Sequence, residues 1–467
     1  MAILSSDLIR QGAAGASTGY TIDNSCRFND DDSPFMSRTQ DSGSQTTWTI
    51  SCWVKIGNVP GNFTIWSVHT AYQSFAQIRS TTGLQFVVGN GSSSNSYHNL
   101  TRLFRDPSAW YHLVMVFDST NDIASERARI YVNGQRETDF SNTGSWAKDY
   151  ASNVNSTQTM YIGEQGTGGN HMEGYIAEFH QLDGYAYGPE YFGEFDDNGI
   201  WIPKAYTGSY GTNGCYLEFQ NSGSLGADTS GQGNNFSTNG LQANDQKIDT
   251  PTNNMITFNP LNNQRSGGNP QDGNLVYDGP GTRTLISLTA NIPPTGKWAV
   301  AFSVAAVSTN VGWQFGVTKS ENSNFGDAAG SNEDVGASDG VQMSPSSSDL
   351  QLYDYTTSTS IDPSLPLATA DEFWVAVDMA TGKVFLGIYD ASATAMKFVA
   401  ADTGLDGNPA TGDNPTATIS AMIGSNDYTF AVGSKDSSND ITLLRSSDVS
   451  GTTPTGYTYF ENVKDLI

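Results

Sequence analysis

Short alternations of apolar and polar residues with a period of two, bounded by clusters of Gly, Asn, Ser, Thr and Asp, run through most of this chain. That is the pattern of half-buried β-strands joined by tight turns. Residues 110–135 encode two strands, a polar loop between them and a turn after them. Leu113-Val-Met-Val-Phe117 is apolar and rich in β-formers, 118–125 is a turn-rich break, and Ala128-Arg-Ile-Tyr-Val132 resumes the strand before Asn133-Gly134. A type I′ turn needs positive φ at both central residues, which Asn and Gly supply at the least steric cost. The stretch therefore predicts an antiparallel hairpin and an immediate second reversal after Val132.

The same reading predicts strands at 48–54, 160–163, 175–180 and 215–219, with strand-like pieces at 20–22 and 27–28. In the second half it predicts strands at 296–304 and 312–317. A second hairpin follows, from Phe373-Trp-Val-Ala-Val-Asp378 through a Gly-containing turn at 379–383 to Val384-Phe-Leu-Gly-Ile-Tyr389. The aromatic, turn-heavy segment 182–193, Leu-Asp-Gly-Tyr-Ala-Tyr-Gly-Pro-Glu-Tyr-Phe-Gly, is expected as a loop or short helix packed on an edge. Residues 204–264 shift to Gly, Asn, Ser and Thr, too rich in turns for a continuous core element. The organisation that results is all-β: an N-terminal segment 1–17, a first antiparallel sandwich at 18–205, a structured Gly/Asn-rich connector at 206–264 and a second sandwich at 265–467, beginning between 245 and 270. No short-period repeat marks a solenoid or propeller.

Three of these pieces together resemble the laminin-G-like branch of the concanavalin A-like jelly rolls: the 110–134 hairpin, Trp48-Thr-Ile-Ser-Cys-Trp-Val54, and Met160-Tyr-Ile-Gly163 followed by Tyr175-Ile-Ala-Glu-Phe-His180. Gly296-Lys-Trp-Ala-Val-Ala-Phe-Ser-Val304 and Gly312-Trp-Gln-Phe-Gly-Val317 resemble SPRY domains, another concanavalin A-like sandwich. The fold these resemblances imply is two tandem concanavalin A-like jelly rolls. With the connector strings Asp-Thr-Ser-Gly-Gln-Gly-Asn-Asn-Phe at 228–236 and Asp-Thr-Pro-Thr-Asn-Asn-Met at 249–255, the chain also resembles virion proteins of tailed bacteriophages, marine ones above all. That resemblance implies a tail fibre or similar exposed appendage on the virion, made in the host cytoplasm. It would bind host-surface carbohydrate and other virion proteins as a homo-oligomer, a trimer by analogy with fibres. A capsid decoration or fibre-base protein without a sugar site is the alternative, and a polysaccharide hydrolase a third.

Charge narrows the partners. The 467 residues carry 22 Lys and Arg against 48 Asp and Glu, a formal net charge of −26, which repels a phosphate backbone and removes nucleic acid from the expected partners. The longest apolar run, near 299–307, falls well below the ~20 residues of a membrane helix, so membrane insertion is not expected. Export through a signal peptide is not expected either, because the first residues lack a basic region and a long apolar core. Three cysteines, at 26, 52 and 215, make no disulfide framework. Asp30-Asp-Asp32, Asp196-Asp197 and the acids of 406–413 offer hard oxygen ligands for Ca²⁺, without EF-hand spacing.

Catalytic patterns are weak. Gly15-Ala-Ser-Thr-Gly19 has the letters of a nucleophile elbow but not its strand-turn-helix setting. Glycosidases need a pair of carboxylates flanking the scissile bond. The nearest string, Glu194-Phe-Asp-Asp197, sits among turn glycines, so no enzymatic activity is expected. The five histidines show no zinc spacing, and His112 and His180 read as packing or edge residues. A sugar site pairs an aromatic face with Asn, Asp or backbone groups for the hydroxyls. Loop residues with those ingredients are Trp66, Tyr72, Tyr97, His98, Trp146, Asn170 and His171, the candidate carbohydrate contacts.

Overall fold

A computed structural model describes residues 19–57, 61–68, 73–166, 168–262, 270–278, 284–305, 313–320, 340–345, 350–354, 358–360, 371–402, 404–434 and 440–466. The chain divides into two compact units between Asn254 and Met255. Gly15 to Thr18 of the elbow-like string lie outside the described residues.

In the first unit the strands are β1 (Ser25–Phe28), β2 (Phe35–Thr39), β3 (Thr47–Ile56), β4 (Asn62–Val68), β5 (Ser74–Arg79), β6 (Gly83–Gly89), β7 (Asn95–Leu100), β8 (Trp110–Asp118) and β9 (Ala128–Val132). They continue with β10 (Gln135–Arg136), β11 (Phe140–Asn142), β12 (Thr159–Ile162), β13 (Gly174–Asp183), β14 (Gly193–Phe195), β15 (Trp201–Pro203), β16 (Cys215–Leu217), β17 (Ser237–Asn239) and β18 (Gln246–Lys247). One antiparallel sheet has the order β10-β9-β8-β3-β13-β1-β18, with β16 also on β13, and the other β11-β7-β6-β5-β4-β12-β2-β17. The hairpin expected at 110–135 is there: Leu113 pairs with Val132 and Phe117 with Ala128. Asn133 (φ 46°) and Gly134 (φ 76°) then turn the chain so that Gln135 returns to Val132. Gly134 is needed twice over, since a Cβ there would also run into the Trp201 ring.

Alternation along β3 and β8 sends Trp48, Ile50, Cys52, Val54, Leu113, Met115 and Phe117 into one core with residues of the facing sheet, among them Trp66, Phe86, Met160 and Ile162. The opposite face of the same strands is buried too. Thr49, Ser51 and Lys55 have no measurable exposure, and Trp53, Trp110, Val114 and Val116 have 2% or less. Burying each large apolar side chain contributes about 1.5–3 kcal/mol, so this second apolar face must be covered, and the chain after β13 covers it. Residues 185–210 lie over Val114, Val116 and Leu182, while Ile22 and Trp201 close over Trp53, Trp110 and Tyr175.

The cover is fastened by a buried ion pair. Lys55 Nζ donates to Asp249 Oδ2 (2.8 Å) and Asn254 Oδ1 (2.9 Å), and Trp110 Nε1 donates to Asp249 Oδ1 (3.0 Å). A second buried pair, Arg27 with Asp245 (2.8 Å), holds the same segment against β1. Stretches read from sequence as connector thus supply β16 to β13, β17 to β2 and β18 to β1. Two local expectations fail. Residues 20–22 are not a strand; Ile22 exchanges hydrogen bonds with the Thr252 hydroxyl instead (2.9 and 3.0 Å). Residues 184–192 pack on the face of the sheet, not on its edge, because Val114 and Val116 need shielding there.

In the second unit, one sheet is centred on the antiparallel strands Lys297–Val304, Glu372–Asp378 and Lys383–Asp390, with Thr458–Tyr459 added in parallel to the first, and another on Trp313–Lys319 and Tyr428–Ser434. The hairpin expected at 373–389 pairs Val377 with Val384 around a turn in which Gly382 has φ 68°. Its outer face is also covered: Ala299, Ala301, Trp374 and Phe385 pack with Tyr457 and Tyr459.

Removing one partner of a buried ion pair leaves the other charged and desolvated, at a cost of about 3–5 kcal/mol. Asp249→Ala should destabilise the first unit by about that much, and Lys55→Met/Asp249→Ala by less than the sum of the two single changes. Urea titration followed by tryptophan fluorescence checks both.

Candidate functional site

The cover on the outer face of β3, β8 and β13 brings together the densest set of chemically capable side chains among the described residues of the first unit. Its organising feature is a bulge. Ala177 pairs with Trp53 and His180 with Ser51, so Glu178 and Phe179 together oppose Cys52. Glu178 has φ 51°, the left-handed conformation of a bulge residue and a costly one without glycine. The extra residue resets the alternation: Phe179 enters the core, and Glu178 and His180 both meet the cover.

Both Glu178 oxygens are engaged. Tyr20 donates to Oε2 (2.8 Å), Tyr216 donates to Oε1 (2.6 Å), and His180 Nε2 lies 3.4 Å from Oε2. His180 Nδ1 is bonded to the Tyr210 hydroxyl (3.0 Å), and its ring stacks on Tyr216 (4.3 Å, 10°). Burial, followed by the charge of Glu178, pushes the Tyr20, Tyr210 and Tyr216 phenols well above their ordinary value, which keeps them as neutral donors. His112 lies beside this network, sandwiched between Trp53 (4.7 Å) and Trp201 (5.9 Å). The Trp201 indole donates to His112 Nδ1 (3.0 Å), so the proton of the neutral ring sits on Nε2 and goes to Ser51 Oγ (2.9 Å). Burial, helped by His180, lowers the His112 pKa to about 3.

Above the network is a surface of tyrosines. Thr49 Oγ1 donates to the Tyr185 carbonyl (2.9 Å) and accepts from the Tyr187 amide (3.0 Å), pinning the loop to β3. Tyr185, Tyr187 and Tyr191 then stand as a ladder, with centroids 5.3 Å apart at 31° and 4.0 Å apart at 7°. Pro189 opens the one-turn helix Pro189–Tyr191 that sets the last rung. Tyr185 and Tyr187 are half-buried, and Tyr191 is 42% exposed. Tyr206 stacks on Phe192 (5.1 Å, 20°); burial first, then the nearby phenols of Tyr187, Tyr185 and Tyr191, raise its pKa. The ladder is a stack of three phenol rings that reaches the surface at Tyr191.

The residues proposed from sequence lie elsewhere. Trp66 is fully buried, edge-on to Trp48 (5.9 Å, 87°). Trp146 is 3% exposed with its indole donating to the Val88 carbonyl, and His98 is buried with its ring stacked on Phe140 (4.5 Å). These three pack inside the sandwich and offer no face to a ligand. Tyr97 is half-buried on β7, and Tyr72 lies outside the described residues. Asn170 is exposed and donates to Gln165 Oε1 (2.6 Å), and its neighbour His171 lies 3.8 Å from the buried Glu164. Of the acidic strings, Asp30–Asp32 is a short 3-10 turn, and Asp196 accepts from the Asn198 and Ile200 amides within the β14–β15 turn. Among the described residues no three His, Cys, Asp or Glu side chains are grouped as metal ligands. The ladder was readable only as Tyr-x-Tyr-Gly-Pro-Glu-Tyr, a tyrosine spacing broken by turn residues.

Residues 29–184 match the model of the concanavalin A-like lectin/glucanases superfamily. They form a laminin-G-like, concanavalin A-like jelly-roll domain within an all-β chain. No curated protein sequence matches the chain. Among solved structures it is similar to a heptameric SAP-like pentraxin from Limulus polyphemus, at 19% identity over 36% of this chain and 78% of that one, with a TM-score of 0.27. It is also similar to domains LG4-5 of the mouse laminin alpha1 chain (10% identity, 90% and 84% coverage, TM-score 0.29) and to the TRIM65 PSpry domain (11%, 41% and 92%, 0.28). The tyrosine ladder begins just beyond the matched stretch.

The His112 geometry sets a pH dependence. Its pKa is about 3 in the folded chain and about 6.5 when unfolded, so between those values the unfolded chain binds more protons. Its contribution to stability is complete above about pH 6.5 and is lost as pH falls towards 3, by about 1.4 kcal/mol per pH unit. Lowering the pH from 7 to 5 should cost the wild type about 2 kcal/mol more than His112→Gln. Urea midpoints at the two pH values check this; equal losses would count against the neutral, sandwiched imidazole.

Proposed function

We propose that the first sandwich is a non-catalytic binding module for host-surface carbohydrate, carried on an exposed appendage of a tailed-phage virion. The observation that carries the binding reading is the tyrosine ladder Tyr185–Tyr187–Tyr191, whose last rung is exposed, with the Tyr206 phenol beside it. Aromatic faces take the C–H side of a sugar ring, and phenol hydroxyls both donate to and accept from its hydroxyl groups. A ladder pinned to a sheet by Thr49 loses little side-chain freedom on binding, which favours affinity from a small contact. The virion setting is supported by the sequence resemblance of the jelly roll and the strings at 228–236 and 249–255.

Three acids of this region are engaged within the fold, which supports binding without turnover. Glu194 lies 3.6 Å from Lys204, and Asp196 is committed to its own turn. Glu178, on β13 beneath the cover, is 6% exposed and held by two phenols.

An array of purified bacterial capsular and outer-membrane polysaccharides tests the reading. The wild-type chain should bind members of the array, and Tyr187→Ala/Tyr191→Ala should bind them at least about tenfold more weakly, the effect of losing roughly 1.4 kcal/mol. Urea stability of that variant should change by no more than about 1 kcal/mol, since Tyr191 is exposed and Tyr187 half-buried. Retention by virion proteins alone, with no polysaccharide bound, would replace the carbohydrate reading with a docking one.

A further inference from the structure

The surroundings of the ladder are acidic, and that constrains its ligand. Between 182 and 206 the chain carries Asp183, Glu190, Glu194, Asp196 and Asp197 against Lys204 as its one cation. Asp183 is buried, accepting from the Ser44 and Asn213 amides. Lys204 is spent on Glu194 (3.6 Å) and the Glu190 carbonyl (3.4 Å). Glu190 itself is exposed, between Pro189 and Tyr191, and its carboxylate lies over Gly188, where a Cβ would collide with it. Glu190 thus carries an exposed carboxylate next in sequence to the last rung, Tyr191. Asp197 is exposed at the tip of the neighbouring β14–β15 turn.

Resting on the carbohydrate reading of this site, we propose that the ladder selects neutral pyranosides: the exposed face of Tyr191 takes the ring, the Glu190 carboxylate accepts from two adjacent sugar hydroxyls, and glycans bearing carboxylate, phosphate or sulfate are turned away. An ionised carboxylate is an acceptor with two oxygens and no donor, so it matches a vicinal diol and not another anion. Charge-assisted hydrogen bonds of this kind are roughly twice as strong as neutral ones. Repulsion from Glu190 is screened over roughly 8 Å at physiological salt, so the discrimination should shrink as salt is raised while neutral binding holds.

The test uses the full chain and polysaccharide pairs that differ only in charge: polygalacturonate, polymannuronate and hyaluronan, each beside its own carboxyl-reduced form, together with neutral β-glucan, mannan and chitooligosaccharide. At least one neutral member should bind about tenfold or more tightly than any acidic one, with Tyr191→Ala removing that binding. Glu190→Gln should weaken the neutral ligand about tenfold and narrow its advantage over the charged forms. Acidic polysaccharides binding as well as neutral ones through Tyr191, or selectivity unchanged in Glu190→Gln, would overturn the charge selection and leave the carbohydrate reading intact. Neutral binding indifferent to Tyr191→Ala would overturn the placement of the site. Failure of every glycan to bind would overturn the carbohydrate reading and this inference with it.

Discussion

Everything distinctive in the first unit follows from one constraint: β3 is buried on both faces, so two sheets are not enough to enclose it. A solvent-facing outer surface would need polar side chains in water. Here Trp53, Trp110, Val114 and Val116 occupy that surface and Lys55 lies fully buried among them. Asp249 and Asn254 accept from its ammonium, and Asp249 also takes the Trp110 indole. Ion pairs of this kind contribute little net stability compared with apolar substitutes. Lys55 ties Asp249, in a stretch rich in polar residues, to the outer face of β3. The second unit solves the same problem with the partners exchanged: Glu372, on the sheet, accepts from the Trp374 indole and captures the Gly451 amide of the covering segment.

Once the outer face must be covered, the covering segment becomes the place where function can reside. Its inner side is fixed by the sheet, through Glu178 with Tyr20 and Tyr216, His180 with Tyr210, and Thr49 with the loop backbone. Its outer side is then free to present tyrosines in fixed positions. The bulge at Glu178 links the two, because it turns His180 towards the cover and gives the aromatic stack of Tyr216, Tyr210 and Phe192 its base.

Most of the strands were legible in the sequence because their signals are local. Asn133-Gly134 favours a tight type I′ reversal, and 113–117 is a short apolar run of β-formers bounded by a turn-rich break. What period-two alternation does not report is whether the polar face of a strand is wet. Thr49, Ser51 and Lys55 look like a solvent face, yet Thr49 holds a loop, Ser51 holds His112 and Lys55 holds Asp249. For the same reason the Gly/Asn-rich stretch after 205 reads as a connector. Its order comes from side chain-to-backbone bonds, such as Asp228 accepting from the Tyr216, Ser230 and Asn234 amides, which hydrophobic patterning cannot register. Trp66 and Trp146 read from sequence as loop aromatics, whereas long-range packing against Trp48 and Phe117 puts them in the core.

Native-state hydrogen exchange of the full chain tests most directly whether the cover is a built-in third layer. If it is, the amides of Tyr216 and Gln246 will exchange only through the same global opening as those of Ser51 and Val114, with matching dependence on urea. Exchange of Tyr216 and Gln246 through a low-energy local opening, while Ser51 and Val114 stay protected, would contradict the account, because the outer face of β3 would then be stable without its cover.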